Sequence, residues 1–254
     1  MKTTNNTILI TGGGSGIGRA LAEAFHTLGN QVIISGRSRK TLDETIAANP
    51  GMKSLTVDMT DAASIRDFAE KLEGEYPSLN VLINNAGIMR PENLLSADLD
   101  TADAEATILT NLLGPIRLTS ALLPLLRKQP HATVMNVTSG LAFIPLAATP
   151  TYSATKAAVH SYTESLRHQL RETKVEVLEL APPYVATELM GEQQAADPRA
   201  MPLGEFISEV MDILTNKPEA TEILVKRVEQ LRYSFVGGTE KYTEVFQGLN
   251  AMTH

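Results

Sequence analysis

Tyr152 and Lys156 lie four residues apart in the stretch Tyr-Ser-Ala-Thr-Lys, a spacing that sets a phenol beside a primary amine. On a helix, side chains at this spacing share one face, with roughly 5–6 Å between their Cβ atoms. An ammonium group beside a phenol favours the phenolate, so we expect the pKa of Tyr152 to lie below its usual ~10. A tyrosine with such a pKa can exchange a proton with a substrate oxygen near neutral pH.

Ser139 precedes Tyr152 by thirteen residues and supplies a hydroxyl group that can hold the same substrate oxygen. Taken alone, a tyrosine and a lysine at this spacing occur by chance in many helices, and a single serine is usually a cap or a satisfied hydroxyl. A serine hydrolase is excluded, because Ser139 stands in Val-Thr-Ser-Gly-Leu and not in a Gly-x-Ser-x-Gly nucleophile elbow. The pattern becomes specific through a nucleotide-binding turn in the same chain.

That glycine-rich turn, Thr-Gly-Gly-Gly-Ser-Gly-Ile-Gly, occupies residues 11–18 between a predicted strand and a predicted helix. Glycines let the backbone approach a pyrophosphate, and the helix N-terminus offers free N–H groups and the positive end of its dipole. The spacing differs from the usual dinucleotide fingerprint by one residue in the first gap, and the alternative is a purely structural turn. The strand-turn-helix context favours a cofactor site that includes Gly12, Gly14, Ser15, Gly16, Ile17 and Gly18.

The end of the second predicted strand indicates which nicotinamide cofactor binds. The strand ends in Ser-Gly-Arg-Ser, so Arg37 stands where an acidic residue would bind the ribose 2′-hydroxyl of NAD. An arginine there suits the 2′-phosphate of NADP, and we expect NADP(H) to be favoured over NAD(H). The alternative is that the cations of residues 37–40 are solvated side chains at a helix start. Further cofactor contacts are expected after the third and fourth strands, from Asp58, Met59, Asn85, Ala86 and Gly87.

Short apolar runs alternate with helix-like segments, which is typical of a parallel sheet covered by helices on both faces. The predicted strands are 8–10, 31–35, 54–57, 81–83, 133–137, 175–180 and 222–225. The predicted helices are 16–28, 38–48, 62–75, 101–112, 114–126, 152–173 and 206–214. The expected fold class is α/β, a single-domain Rossmann-like doubly wound parallel sheet flanked by helices on both faces. Residues 1–254 are expected to form this one domain, with a mobile substrate flap at about 186–215.

The chain has 254 residues, a formal net charge of −7 and no cysteine. The negative charge argues against nucleic acid as a partner, because phosphate binding needs a basic surface. No signal peptide is visible, and no apolar stretch is expected to approach the ~20 residues of a membrane span, so we expect a cytoplasmic protein with no membrane partner. His160, Glu164 and His168 are expected to face solvent or a neighbouring subunit, and no metal site is predicted.

Together these motifs resemble the short-chain dehydrogenase/reductase family. The resemblance covers about residues 7–190 and rests on the glycine-rich turn, Asn84-Asn-Ala-Gly87, Asn111, Ser139 and the pair Tyr152 and Lys156. The segments 201–206 and 222–233 are similar to a bacterial subgroup named after a short-chain oxidoreductase of the D-alanine–teichoic-acid operon, the DltE-like proteins.

The resemblance implies an NADP(H)-dependent oxidoreductase that interconverts a carbonyl and a secondary alcohol. Tyr152 would be the general acid in reduction and the base in oxidation, and Ser139 would hold the substrate oxygen. Lys156 would lower the pKa of Tyr152 and bind the nicotinamide ribose, while Asn111 would hold a water that passes the proton onward through Lys156. The alternative function is a non-catalytic NADP(H)-binding sensor or scaffold, which has no need of Tyr152 and Lys156 together.

The loop after the sixth strand departs from the family pattern, because Pro183 stands where the family usually has glycine. Proline fixes φ, so we expect a stiffer loop. Pro182, Val185 and Thr187 are expected to contact the cofactor, the last two at its nicotinamide carboxamide. The family commonly pairs subunits through the helices predicted at 101–127 and 152–173, and we expect a homodimer or homotetramer.

The substrate pocket is expected to have apolar walls, which favours a small apolar carbonyl or alcohol as substrate. Arg90, in the loop after the fourth strand, is either an exposed charge at the rim or a partner for an anionic substrate group. The predicted wall residues are Leu141, Phe143, Ile144, Tyr184 and Met190.

Overall fold

The computed structural model describes residues 1–98 and 100–251. Within those residues the strands are β1 Thr7–Thr11, β2 Gln31–Gly36, β3 Lys53–Thr56, β4 Val81–Asn84, β5 Ala132–Val137, β6 Val175–Leu180 and β7 Glu222–Ile223. They form one parallel sheet in the order β3-β2-β1-β4-β5-β6-β7. Strands β1, β2, β4 and β5 are short runs of mostly buried residues, which is typical of strands covered on both faces of a sheet. The strand order reverses between β1 and β4, which places a crevice beside their C-terminal ends.

Helices cover both faces of this sheet. The helices are α1 Gly16–Thr27, α2 Arg39–Ala48, α3 Ala62–Glu75, α4 Ala102–Ile108, α5 Gly114–Lys128, α6 Pro150–Leu170, α7 Glu192–Ala195, α8 Leu203–Asn216, α9 Glu229–Arg232 and α10 Gly238–Ala251. Phe25 of α1 and Phe206 of α8 lie in the core on one face, and Phe68, Leu118 and Leu166 lie in the core on the other. Because both faces are covered, the central strands β1, β2 and β4 contain successive buried apolar residues instead of an alternating pattern. The predicted α/β Rossmann-like doubly wound sheet is confirmed.

Polar side chains set where α2 and α3 begin. The carboxylate of Asp61 accepts a 2.8 Å hydrogen bond from the backbone N–H of Ala63 and caps the start of α3. The hydroxyl of Ser38 accepts a 3.3 Å hydrogen bond from the N–H of Thr41, so α2 begins one residue later than predicted. Each cap satisfies one of the free N–H groups of a first helical turn.

The predicted break between helices near residue 113 is wrong. A π-helical turn at Leu109–Leu113 joins α4 to α5, and residues 102–128 form one helix. Gly114 serves close packing instead of ending a helix, because a Cβ there would lie 2.9 Å from the carbonyl oxygen of Met59. Met59 is itself buried beneath this contact.

The same helix, residues 102–128, is long and apolar enough to cross a membrane by length and composition alone. The expectation that no stretch approaches such a length is therefore wrong. The physical reason lies in the fold: Leu118, Leu122 and Leu126 are buried against the sheet and α3, which requires a long apolar stripe.

After β6 the chain leaves the sheet and returns to the core sooner than predicted. Val185 forms a parallel bridge with Met201, which closes residues 186–200 into a loop containing α7. Residues 203–215 of the predicted flap belong to α8, whose Phe206 and Val210 are fully buried against α1. We keep the name flap for residues 186–202. Neighbouring ends also shift, since α6 stops at Leu170 and β7 spans two residues.

Candidate active site

The glycine-rich turn between β1 and α1 forms a cradle without room for side chains. Gly12 has a φ of 69°, and a Cβ there would lie 2.9 Å from the Cα of Ala86. A Cβ on Gly18 would overlap the carbonyl group of Gly12 and the side chain of Asn85. The N–H groups in the first turn of α1 have no partner within the helix, and they carry the positive end of its dipole. The turn therefore fits the pyrophosphate of a dinucleotide.

A cavity of about 370 Å³ lies at the C-terminal ends of the central strands, within the size range of small-molecule sites. Most of the predicted cofactor residues line it. Those that do so are Gly12, Ser15, Gly16, Ile17, Gly18, Asn85, Ala86, Gly87, Tyr152, Lys156, Pro182, Val185 and Thr187. Ser139 lines the same cavity, so the cradle and three of the four predicted catalytic side chains share one space.

The end of β4 is held against the cradle by hydrogen bonds to Thr11. The hydroxyl of Thr11 accepts from the backbone N–H groups of Asn85 and Ala86, each at 3.0 Å. The side-chain amide of Asn85 donates to the carbonyl of Thr11 at 2.9 Å. These bonds fix the small residues after β4 beside the turn, which leaves the sheet edge open to a flat ligand.

Four predicted cofactor residues lie outside the lining of this cavity, namely Gly14, Arg37, Asp58 and Met59. Gly14 faces α2, and a Cβ there would lie 2.7 Å from the hydroxyl oxygen of Thr41, so this glycine permits helix packing. The carboxylate of Asp58 accepts hydrogen bonds from the N–H and hydroxyl of Thr60, at 2.9 and 2.8 Å. These bonds hold the pKa of Asp58 below its ordinary value, and the nearby charge of exposed Arg37 lowers it further.

Three of the four predicted catalytic side chains, those of Ser139, Tyr152 and Lys156, are buried in the lining of the cavity. Ser139 follows the end of β5, and Tyr152 and Lys156 lie in the first turns of α6, which begins with a proline. The Nζ of Lys156 lies 5.5 Å from the centre of the Tyr152 ring and donates a 2.8 Å hydrogen bond to the carbonyl of Val137. A side-chain hydrogen bond joins Tyr152 to Ser139. The predicted juxtaposition of the hydroxyl, the phenol and the amine is present.

The predicted direction of the Tyr152 pKa is wrong for this arrangement. Burial raises the pKa of Tyr152 to about 12, against a smaller lowering by the hydrogen bond with Ser139. Burial also lowers the pKa of Lys156 to about 8. Desolvation disfavours the charged form of both groups, and at these positions it outweighs the expected stabilisation of a phenolate by the ammonium.

Asn111 lies in the π-helical turn and pairs with the loop after β4. Its side-chain amide donates to the carbonyl of Ile88 at 2.8 Å, and its side-chain oxygen accepts from the N–H of Ile88 at 2.9 Å. The same amide lies 3.4 Å from the hydroxyl of Thr155 on α6. The side chain of Asn111 thus ties the long helix, the β4 loop and α6 together close to Lys156.

The predicted pocket walls are displaced. Leu141, Phe143, Ile144, Tyr184 and Met190 are absent from the lining of the cavity within the described ranges. Phe143 and Ile144 point into the protein and are buried, since the short 3₁₀ helix at Gly140–Ala142 turns the chain inward after Ser139. Tyr184 is instead hydrogen-bonded to Asp197 of the flap at 3.2 Å.

Sequence reasoning missed several residues that do line the cavity: Ile88, Val137, Thr138, Pro183, Glu188, Leu189 and Gln194. Arg90 lines it as well, and its guanidinium lies 3.9 Å from the carboxylate of Asp103. Gln194 is buried and fastens the flap, because its amide donates to the carbonyl of Val185 at 2.8 Å and to the hydroxyl of Thr187 at 3.2 Å. No sequence signal marks Gln194, whose neighbours are polar and small.

The predicted direction of His160, toward solvent or a neighbouring subunit, is also wrong, because its imidazole points to the sheet. Its Nδ1 lies 2.8 Å from a carboxylate oxygen of Glu179, a residue that is fully buried on β6. Within the described residues, no group of three or more histidine, cysteine or acidic side chains is placed to hold a metal ion.

The fold and this cavity define an α/β enzyme of the dinucleotide-binding class. The family model described as short chain dehydrogenase matches residues 6–198. The protein named uncharacterized oxidoreductase DltE, of Bacillus subtilis (strain 168), is 43% identical over 235 residues, which are 91% of this chain and 92% of that protein. The chain belongs to the short-chain dehydrogenase/reductase family, and the similarity to the DltE-like subgroup is confirmed.

Solved structures share the fold across nearly the whole chain. A short chain dehydrogenase from Burkholderia cenocepacia J2315, in complex with NADP, has a TM-score of 0.83 at 24% identity and covers 97% of this chain and 99% of its own. A short chain dehydrogenase/reductase from Burkholderia phymatum, in complex with NAD, has a TM-score of 0.80 at 20% identity, with 92% and 94% covered. The protein is therefore a short-chain dehydrogenase/reductase enzyme by family and by fold.

Proposed function

We propose that the protein is an NADP(H)-dependent oxidoreductase that interconverts a carbonyl and a secondary alcohol by hydride transfer. The observation that carries the proposal is the cavity itself, whose lining includes Ser139, Tyr152 and Lys156 together with the glycine cradle. A reaction that needs both a dinucleotide and a proton at a substrate oxygen requires this pairing of sites.

The cofactor, when bound, supplies the hydride in reduction and accepts it in oxidation. The hydroxyl of Ser139 holds the substrate oxygen beside the phenol of Tyr152. Tyr152 donates its proton to that oxygen in reduction and accepts one in oxidation. Its pKa of about 12 keeps the phenol protonated at neutral pH, the state that reduction needs.

We assign two roles to Lys156: its hydrogen bond helps to hold the geometry of the site, and its ammonium group places a positive charge there. Its pKa of about 8 leaves the ammonium protonated at neutral pH, with one proton used in the bond to Val137. We assign its remaining N–H groups to the nicotinamide ribose and to a proton path that continues through a water held near Asn111. The position of Asn111 beside α6 supports that path, since its amide reaches the hydroxyl of Thr155 at 3.4 Å.

The cofactor preference rests on the residues that follow β2. Arg37 is exposed there, and no acidic residue stands at the strand end. The two neighbouring structures were solved with NADP and with NAD, which supports a nicotinamide dinucleotide but does not choose between the two. Arg37 favours NADP(H), because a guanidinium can grip a phosphate with two parallel hydrogen bonds. Asp58 and Met59 stand near the proposed adenine end.

The proposed substrate is a small carbonyl or alcohol compound with an apolar body. Beyond the cradle, the cavity offers apolar contacts from Ile88, Pro183 and Leu189. Two charged residues, Arg90 and Glu188, also line the cavity. A single anionic group on the substrate could therefore pair with Arg90, and a single cationic group with Glu188.

A homodimer or homotetramer is the proposed assembly. The long helix at residues 102–128 is buried on one side only and leaves Ile108 exposed, and α6 lies next to it. Two copies of this helix pair would cover each other's apolar surface. Sedimentation that reports a mass near the 27.5 kDa of one chain at micromolar concentration would overturn this assembly.

The test of function is NADPH oxidation, followed at 340 nm, across a panel of aldehydes, ketones and 3-oxoacyl thioesters. Tyr152→Phe should lower turnover ~10²-fold or more with NADPH affinity within a few-fold, because only proton transfer is lost. Tyr162→Phe, on the same helix, is the matched control and should keep turnover within about threefold. Unchanged turnover in Tyr152→Phe would sink the mechanism, and NADPH binding without consumption of any substrate would favour the sensor.

A further inference from the structure

A fully buried carboxylate lies directly behind the catalytic serine. Glu179 stands near the end of β6 with no exposed surface. One of its oxygens accepts a 2.6 Å hydrogen bond from the hydroxyl of Thr138, the residue before Ser139, and the other lies 2.8 Å from Nδ1 of His160. Burying a charged group is costly unless it is paired and hydrogen-bonded, so both partners are needed to keep Glu179 in place.

His160 links this carboxylate to the helix that carries the phenol and the amine. It lies on α6 one turn after Lys156 and two turns after Tyr152, a rise of about 12 Å from the tyrosine. The ring of Phe143 meets the imidazole edge to face, with 5.0 Å between ring centres. The imidazole is therefore held on two sides, by a carboxylate and by an aromatic ring.

His160 and Glu179 belong to a row of buried, hydrogen-bonded polar side chains that connects α5 and α6 to the ends of strands β4, β5 and β6. We call this row the polar seam. In the seam, Asn84 of β4 donates to Asn136 of β5 at 2.8 Å and to Thr119 of α5 at 3.0 Å. Asn136 donates to Thr163 of α6 at 2.9 Å. Asn84 is in register with Asn136, and Asn136 with Glu179, so the seam crosses three strands at one level.

The hydrogen bonds of the polar seam fix the position of α6 relative to the sheet more exactly than apolar packing does. Leu166 and Leu170 also pack α6 onto the sheet, but contacts of this kind tolerate small shifts along the helix axis. A hydrogen-bonded ion pair fixes both distance and direction. Proton transfer is sensitive to such shifts, since a misplacement of ~1 Å can cost ~10²-fold in rate.

We propose that His160 is a positioning residue whose pairing with Glu179 locks α6, with Tyr152 and Lys156, to the strand end that carries Ser139. The lock strengthens when His160 is protonated, which makes the geometry of proton transfer depend on pH. This inference rests on the proposed function, because a geometry for proton transfer matters only if the site transfers protons.

The charges around His160 set the direction of that dependence. Glu179 of β6 raises the pKa of His160, Glu164 of α6 lies 3.9 Å from Nε2 and also raises it, and Arg232 of α9 lowers it. Arg232 is itself held by Glu222 of β7 in a two-bond ion pair, at 2.8 and 2.9 Å. A raised pKa means that the pair contributes its full stability below the ordinary histidine pKa of 6.5 and loses it as pH rises through the raised value.

The test compares three variants with wild type on a substrate that the wild type turns over. In His160→Asn, an amide N–H replaces Nδ1–H without a charge, whereas His160→Leu has neither. His168→Asn is the control, since His168 is an exposed histidine on the same helix. We expect His160→Leu to lose about tenfold or more in kcat with the KM for NADPH unchanged, and His160→Asn to stay within about threefold.

The pH profile separates positioning from simple support of the fold. The ratio of wild-type kcat to that of His160→Asn should fall as pH rises from about 6 to about 8, because only the wild type carries the ion pair that protonation forms. His168→Asn should track the wild type throughout. A constant ratio, or wild-type kcat in a folded His160→Leu, would overturn the proposal.

A measurement without substrate keeps the two proposals distinguishable. The pKa of His160, read from its imidazole NMR signals, should fall when Glu179→Gln removes the partner charge. An unchanged pKa would overturn the pairing even where the wild type turns over its substrate. Absence of turnover in the wild type over the whole panel would instead count against the proposed function.

Discussion

The ammonium group of Lys156 donates a 2.8 Å hydrogen bond to the backbone carbonyl of Val137, two residues before Ser139. This bond crosses from α6 to the end of β5 and holds the amine within the wall of the cavity. The amine of Lys156, which is proposed to act together with the phenol of Tyr152, thus also connects α6 to the end of β5. These two elements carry the groups that are proposed to react. The charge of Lys156 therefore matters both for the cofactor and for the shape of the site.

We expect the reductive turnover to fall as pH rises through about 8, since that is the pKa to which burial lowers Lys156. The folded protein then loses a charge that holds the Val137 carbonyl and the proposed ribose contact. The measurement is kcat/KM at saturating NADPH from about pH 6 to pH 10. Lys156→Arg keeps a charge over this range and should show no fall near pH 8, and a flat wild-type profile would contradict the assignment.

Arg37→Asp should reverse the preference from NADPH toward NADH. The change replaces a phosphate-binding cation by an acid that can bind a ribose hydroxyl. Loss of a charge-assisted hydrogen bond of ~1.5–3 kcal/mol predicts a shift of at least about tenfold in the ratio of kcat/KM values. Arg39→Asp removes a neighbouring cation that already pairs with Asp43, at 3.2 Å, and should leave the preference in place. Persistent NADPH preference in Arg37→Asp would show that the 2′-phosphate is held elsewhere.

Gly18→Ala should abolish detectable cofactor binding. The added methyl group overlaps the carbonyl of Gly12 and the side chain of Asn85, so the cradle must open. Gly74→Ala is the matched control, because a Cβ at this position of α3 meets no atom within 4 Å. That control should stabilise the fold by ~0.4–1 kcal/mol. Isothermal titration with NADPH, beside thermal unfolding, checks both; normal NADPH affinity in Gly18→Ala would refute the cradle.

Asn111→Leu should destabilise the fold by ~1–3 kcal/mol, since it leaves the N–H and carbonyl of Ile88 without their partner. Asn111→Asp keeps the acceptor for that N–H but sets a second oxygen against the carbonyl of Ile88, so it should destabilise the fold as well. Urea unfolding of both variants measures the difference from wild type. Equal stability of Asn111→Leu and wild type would show that the pairing with Ile88 contributes nothing.

Much of the fold was predictable because its signals are local. The buried runs of β1 and β4, the cap at Asp61 and the spacing of Tyr152 and Lys156 each depend on a few consecutive residues. The side chains that share the cavity could be grouped because parallel strands end at one edge of a sheet. The family resemblance added the roles of these residues.

The predictions that were wrong concern features that depend on contacts between distant segments of the chain. The helix break predicted near residue 113 is absent, and the close approach of Met59 explains the glycine at position 114. The pKa of Tyr152 depends on how deeply the phenol is buried, which spacing alone does not determine. The direction of Phe143 follows from the chain reversal after Ser139, and the partner of His160 lies nineteen residues away on another element.

The π-helical turn at Leu109–Leu113 restricts how many residues this part of the chain can contain if Asn111 is to keep its direction. A π-helical turn holds an additional residue within an otherwise regular helix. Removing one residue there would give an uninterrupted α-helix, in which the residues of the former turn face other directions around the helix axis. Asn111 would then turn away from Ile88, so gene variants that shorten or lengthen this segment should be poor enzymes even where they fold. Libraries that vary loop length should leave residues 102–128 untouched.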